Sequence, residues 1–93
     1  MIVQLSTRAK FEFDAALTYL SQQNSRAADE LASRLDAAIN SLAEFPHRGR
    51  QGAIDGTREI VAPRTPYVIV YVVLADRVLV ARIRHTSQDP SPE

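Results

Sequence analysis

No cysteine occurs among the 93 residues, which excludes disulfide bonds and thiolate metal sites. That absence suits a reducing compartment. No long hydrophobic run occurs either. The longest apolar stretch, Tyr67 to Ala75, spans nine residues, where a membrane-crossing helix needs about 20. The opening Met1-Ile2-Val3-Gln4-Leu5 lacks the basic start and long apolar core of a secretory signal. A soluble cytoplasmic protein is the expectation. Histidines number two, too few to build a metal site, so neither a metal nor a cofactor is expected. Glycines number three, all within residues 46–57, and mark that segment as a loop.

What is present fits one domain over residues 1–93. A chain of this length gains at most ~5–10 kcal/mol on folding, so a tightly bound partner would add a large fraction of that. Net charge is zero but unevenly spread. Residues 1–45 carry four bases against six acids, and residues 46–84 carry seven arginines against three acids. A basic half of this kind can face an acidic or phosphate-rich partner.

Ser6-Thr7 offers a helix cap. Beyond it Ala9, Phe13, Ala16, Leu17 and Leu20 recur at helical spacing to about Gln22. Phe11, Ala15 and Tyr19 fall off that stripe, on a second flank. Asn24-Ser25 offers a second cap, after which Ala28, Leu31, Leu35, Ala38, Ile39, Leu42 and Phe45 form a stripe ended by Pro46. Two helices joined by so tight a break form an antiparallel hairpin. Arg58 to Val61 reads as a short strand, Tyr67 to Leu74 as a central β-branched strand, and Arg77 to Arg84 as its return. Strict alternation places Val78, Val80, Arg82 and Arg84 on one face of that last strand, and Leu79, Ala81 and Ile83 on the other. Residues 86–93 read as a flexible tail. The expected fold is therefore α+β in two layers, β-α-α-β-β-β, a helical hairpin packed on a small, mostly antiparallel sheet. Both faces of the central strand are apolar, yet one hairpin covers only one of them. The other face must be covered either by the remaining chain, loop 46–57 and the tail, or by a partner. With Phe11 and Tyr19 it points to a protein shaped to be clasped.

This order resembles the RelE/ParE toxin superfamily over nearly the whole chain. The first helix is similar at Ala9, Phe13, Ala16, Tyr19 and Leu20. Leu42-Ala43-Glu44-Phe45-Pro46-His47-Arg48-Gly49-Arg50 is close to the family's Leu-x-x-x-Pro-x-x-Gly-Arg segment. Arg58 followed by Tyr67-Val68-Ile69-Val70-Tyr71 resembles its Arg…Tyr-x-Ile-x-Tyr strand pair, and Val80 to His85 its closing strand ending in Arg-x-x-His.

The resemblance implies the toxin of a type II toxin–antitoxin system, neutralised when an antitoxin's C-terminal segment wraps it. ParE-like members poison DNA gyrase; RelE-like members cut messenger RNA on the ribosome. Three departures favour the ParE-like branch. Val68 stands where RelE-like enzymes usually carry an arginine. Ser87, Gln88 and Asp89 stand where they place a basic and then an aromatic residue. The strands also contain no lysine. Metal-free RNA cleavage needs a base, an acid and cations for the phosphate, and only Glu59, His85, Arg58 and Arg82 are available. The expected function is thus gyrase inhibition by a binding toxin under a ParD-like antitoxin, without catalytic residues and without direct nucleic-acid binding by the chain alone. Its antitoxin-binding surface is expected at Phe11, Tyr19, Leu35, Arg58, Tyr67 and Arg82. The alternative is an endoribonuclease using Arg58, Arg82 and His85. His85 has a structural role open to it as well, fixing the tail through the backbone.

Overall fold

A computed structural model describes residues 1–88. Its elements are β1 (Ile2–Leu5), α1 (Thr7–Ser21), α2 (Ser25–Glu44), β2 (Arg50–Gln51), β3 (Arg58–Val61), β4 (Tyr67–Val73) and β5 (Arg77–His85). Both helix starts sit at their caps. The Ser6 hydroxyl accepts the Ala9 N–H at 3.0 Å, and the Asn24 side-chain oxygen accepts the Ala27 N–H at 3.1 Å. Each cap satisfies a backbone donor that the first helical turn leaves orphaned. Phe45, expected to extend the α2 stripe, instead leaves the helical conformation and is 57% exposed. Pro46 is the reason, because the residue before a proline is driven out of the helical region.

The helices form one layer and the sheet the other, in the strand order β1-β5-β4-β3-β2. The β3-β4-β5 meander is antiparallel, and β1 joins it in parallel along Arg77 to Val80 of β5. One core fills the space between the layers. Leu31, Leu35, Ile39 and Leu42 of α2 and Ala9 of α1 meet Ile60, Ile69, Tyr71, Val78, Val80 and Ile83 of the sheet.

Three expectations need correction. The segment 46–57 is not wholly a loop: β2 pairs Arg50 with Glu59 and Gln51 with Arg58. Residues 86–88 are tied down, since the Thr86 N–H donates to the Pro66 carbonyl at 2.8 Å and the Gln88 N–H to that of His85 at 3.0 Å. The rest of the expected flexible tail lies outside the described residues. Finally, β5 does not alternate strictly. Val70 pairs with Arg82 while Tyr71 pairs with Val80, so Ala81 is the extra residue of a bulge. Past it, Ile83 joins Val78 and Val80 in the core, while Arg82 and Arg84 turn to the opposite face.

That opposite face is less bare than the sequence suggests. Val68 and Val70 are 3% and 6% exposed. In register, Val70 lies between Glu59 and Arg82, and Val68 lies between Val61 and Arg84.

The loop after α2 is pinned to the core through Gly49. Its N–H donates to the Tyr71 hydroxyl at 2.8 Å. A Cβ at Gly49 would stand 2.5 Å from that oxygen and 2.9 Å from ring carbon Cε1. The fully buried Tyr71 ring has nowhere to retreat. Gly49→Ala is expected to cost about 1–3 kcal/mol, the range for overpacking a filled site. Urea denaturation is the check, and an unchanged midpoint would show that the ring yields freely.

Candidate partner-binding surface

The face α1 turns away from the core follows from its inner stripe. Phe13, Ala16, Leu17 and Leu20 pack toward the core, which rotates Phe11, Ala15 and Tyr19 into solvent as neighbours four residues apart. Phe11 is 72% and Tyr19 68% exposed. Two depressions that Tyr19 borders run toward the sheet. One runs between α1 and α2 to the turn before β4, along Leu20, Leu31, Arg34, Arg64 and Tyr67. The other crosses Ala16 toward Phe11, Ile83 and Gln88, with Tyr67 and His85 common to both. Together they make one groove with an apolar floor and three surface aromatics. Burial pushes the Tyr67 phenol above its ordinary ionisation range, so it stays neutral there.

His85 closes the end of the groove. Its ring stands edge-on to Tyr67, with centroids 5.4 Å apart at 81°. Its Nδ1 accepts the Ser87 N–H at 3.1 Å, which leaves the proton of the neutral ring on Nε2. The His85 N–H donates to the Gln88 side chain at 2.9 Å. The ring thus anchors the chain that follows it.

Sequence reasoning named six surface residues, and the fold gathers three of them. Phe11, Tyr19 and Tyr67 share the groove. Leu35 does not belong there. It is 0% exposed in the core, because the α2 stripe that suggested it is the stripe facing the sheet. Arg58 is spent on the loop after α2, its Nη1 donating to the Gly49 carbonyl at 2.8 Å and to that of His47 at 3.2 Å. Arg82 is spent as well. Its Nη2 and Nε reach Glu12 Oε2 at 2.9 and 3.3 Å, while Glu12 Oε1 accepts the Ile83 N–H at 2.9 Å. One carboxylate thereby caps the edge of β5 that β1 is too short to cover. Locally Glu12 shows only an i,i+4 pairing with Arg8 at 3.7 Å, while the partners that fix it on β5 lie about seventy residues on.

The residues proposed for RNA cleavage do not converge. Arg58 lies opposite Tyr71 and His85 opposite Tyr67, four positions apart along β4, or roughly 13 Å at strand rise. Arg82 is on the other face. That other face holds a different cluster. Glu59 Oε1 takes Arg84 at 3.0 Å and Arg50 at 3.3 Å, and its Oε2 accepts the Ala53 N–H at 3.1 Å. Burial alone would raise the Glu59 pKa. The Ala53 hydrogen bond and the two guanidiniums outweigh burial and hold it below the ordinary 4.5. A carboxylate so held is a poor base, and both of its oxygens are occupied.

Among the described residues, no group of three His, Asp or Glu side chains is placed to hold a metal ion. No helix among them is long and apolar enough to cross a membrane.

With this geometry in view, the likenesses to known proteins have a place to attach. Residues 3–90 match the family described as the ParE toxin of the type II toxin–antitoxin system parDE. Toxin RelE1 of Caulobacter vibrioides is 42% identical over 85 residues, covering 89% of this chain and 90% of that one. Toxin RelE2 of the same organism is 40% identical over 81 residues, covering 87% and 90%. The putative toxin Y4kP of Sinorhizobium fredii is 33% identical over 86 residues, covering 92% and 88%. In structure, a chain of the chromosomal ParDE system from P. aeruginosa superposes with a TM-score of 0.82. It covers 91% of this chain and 95% of that one at 17% identity, which speaks to the fold alone. The chain belongs to the ParE toxin family of type II toxin–antitoxin systems.

Proposed function

We propose that this toxin inhibits DNA gyrase and is silenced when a ParD-like antitoxin lays an apolar segment into the groove of Phe11, Tyr19 and Tyr67. The observation that carries the first part is the scatter of Arg58, Arg82 and His85. Without convergence there is no base, acid and phosphate clamp around one bond. The second part rests on two exposed aromatics beside a depression with an apolar floor, where large rigid side chains can anchor a partner. Purified toxin at saturation is expected to abolish supercoiling by gyrase, with translated messages intact in a parallel primer-extension assay. Undiminished supercoiling would remove this reading.

A RelE-like nuclease is supported by the names of the two Caulobacter relatives. Codon-phased cuts that disappear in His85→Ala would establish that activity in place of gyrase inhibition.

A further inference from the structure

Arg64 sits in the turn between β3 and β4. Its φ is +61°, and it is the non-glycine residue with positive φ among the described residues. The turn runs from Ala62 to Thr65, closed by the Thr65 N–H on the Ala62 carbonyl at 3.1 Å, with Pro63 second and Arg64 third. A turn with proline second and a positive φ third is built for glycine or asparagine in that third place. A branched-off Cβ there crowds the following carbonyl. The chain bears this strain at a position whose side chain is exposed and borders the groove. Strain held beside a binding surface points to a side chain that is needed.

The charges around Arg64 are unbalanced. Its guanidinium makes no hydrogen bond or ion pair among the described residues, and its carbonyl accepts Arg34 Nη1 at 3.3 Å. Arg34 in turn pairs with Glu30 at 3.7 Å. Two cations and one acid therefore stand at one end of an apolar trough formed by Tyr19, Leu20, Leu31 and Tyr67. We infer that Arg64 is a specificity residue of this groove, selecting an antitoxin segment that carries an apolar stripe and, at the Arg64 end, a carboxylate. This rests on the groove being the antitoxin site. A planar guanidinium fits a carboxylate through two parallel bonds, and the neighbouring apolar wall strengthens them by excluding water. The apolar floor suits side chains of a peptide and offers nothing to a sugar-phosphate backbone.

The probe is the purified antitoxin whose co-expression restores growth, titrated calorimetrically against toxin variants. Arg64→Gly is expected to melt no lower than the parent, because the turn is relieved. It should bind about tenfold more weakly at 0.1 M salt, with the gap closing toward 0.5 M as screening weakens the attraction that only the parent makes. Arg64→Asn, which also tolerates positive φ, should show the same loss.

Three results would overturn the inference. Binding unchanged in Arg64→Gly, with Phe11→Ala and Tyr19→Ala weakened, refutes the role of Arg64 and leaves the groove standing. Unchanged binding in all three variants removes the groove as well. A free toxin that sediments as a dimer and is dissociated by Tyr19→Ala would make a second copy the occupant.

Discussion

Phe11→Ala combined with Tyr19→Ala leaves the melting temperature within a few degrees of the parent and weakens antitoxin binding by about 100-fold or more. The two halves of that result have separate causes. Both rings are mostly in solvent, and surface truncations of this kind change stability by at most about 0.5 kcal/mol. A central aromatic anchor is worth roughly 2 kcal/mol or more in an interface, and each 1.4 kcal/mol is a factor of about ten in affinity. In cells the double variant should arrest growth even when the antitoxin is co-expressed. Wild-type affinity in a well-folded double variant would place the antitoxin on another surface.

Arg84→Ala is expected to lose about 3 kcal/mol of stability, since breaking a buried ion pair strands the remaining charge. Glu59 and Arg84 are 6% and 7% exposed and 3.0 Å apart. Arg50, which is mainly in solvent, and the Ala53 N–H would compensate only in part. The pH dependence supplies the signature. The folded state holds the Glu59 pKa below its ordinary value, so folding binds this proton less readily than the unfolded chain does. The stabilisation is complete above about pH 4.5 and is lost as pH falls through the folded pKa. In Arg84→Ala that attraction is gone at every pH. The stability gap between parent and variant should therefore be widest near neutrality and narrow on acidification. A gap constant from pH 7 to pH 3 would show that lost packing, and not the charge pair, accounts for the change.

The helices were legible because their ends are written locally. Ser6, Asn24 and Pro46 act on the two or three residues beside them, so no tertiary knowledge is needed. The central strands were legible from β-branched composition. What escaped depends on residues distant in sequence. The parallel docking of β1 on β5 and the Glu12–Arg82 bond each join segments that no window spans, while the two-residue β2 is too short to show a period. The bulge carried no glycine to announce it. Instead the Ser6 hydroxyl donates to the Ala81 carbonyl at 2.8 Å, a contact across the whole chain.

The candidate site divides the same way. Phe11 and Tyr19 could be picked out because they lie off a stripe that is otherwise complete. Leu35 lay on its helix's stripe, and membership of a core stripe argues for burial rather than contact. Arg58 and Arg82 were reasonable anion receptors until the fold supplied each with oxygens of its own. The surplus apolar surface also moved. Val68 and Val70 are buried within the folded chain, whereas Phe11 and Tyr19 of α1 stand mostly in solvent.

The extra residue in β5 gives its two halves opposite parity. Shortening the strand by one at Ala81 would either drive a guanidinium under the helices or expel Ile83 into water. Swapping one letter there for another of similar bulk does neither. The number of residues in this stretch is therefore more tightly constrained than their identity, and a sequence comparison that slides by one here pairs inward-facing positions with outward-facing ones.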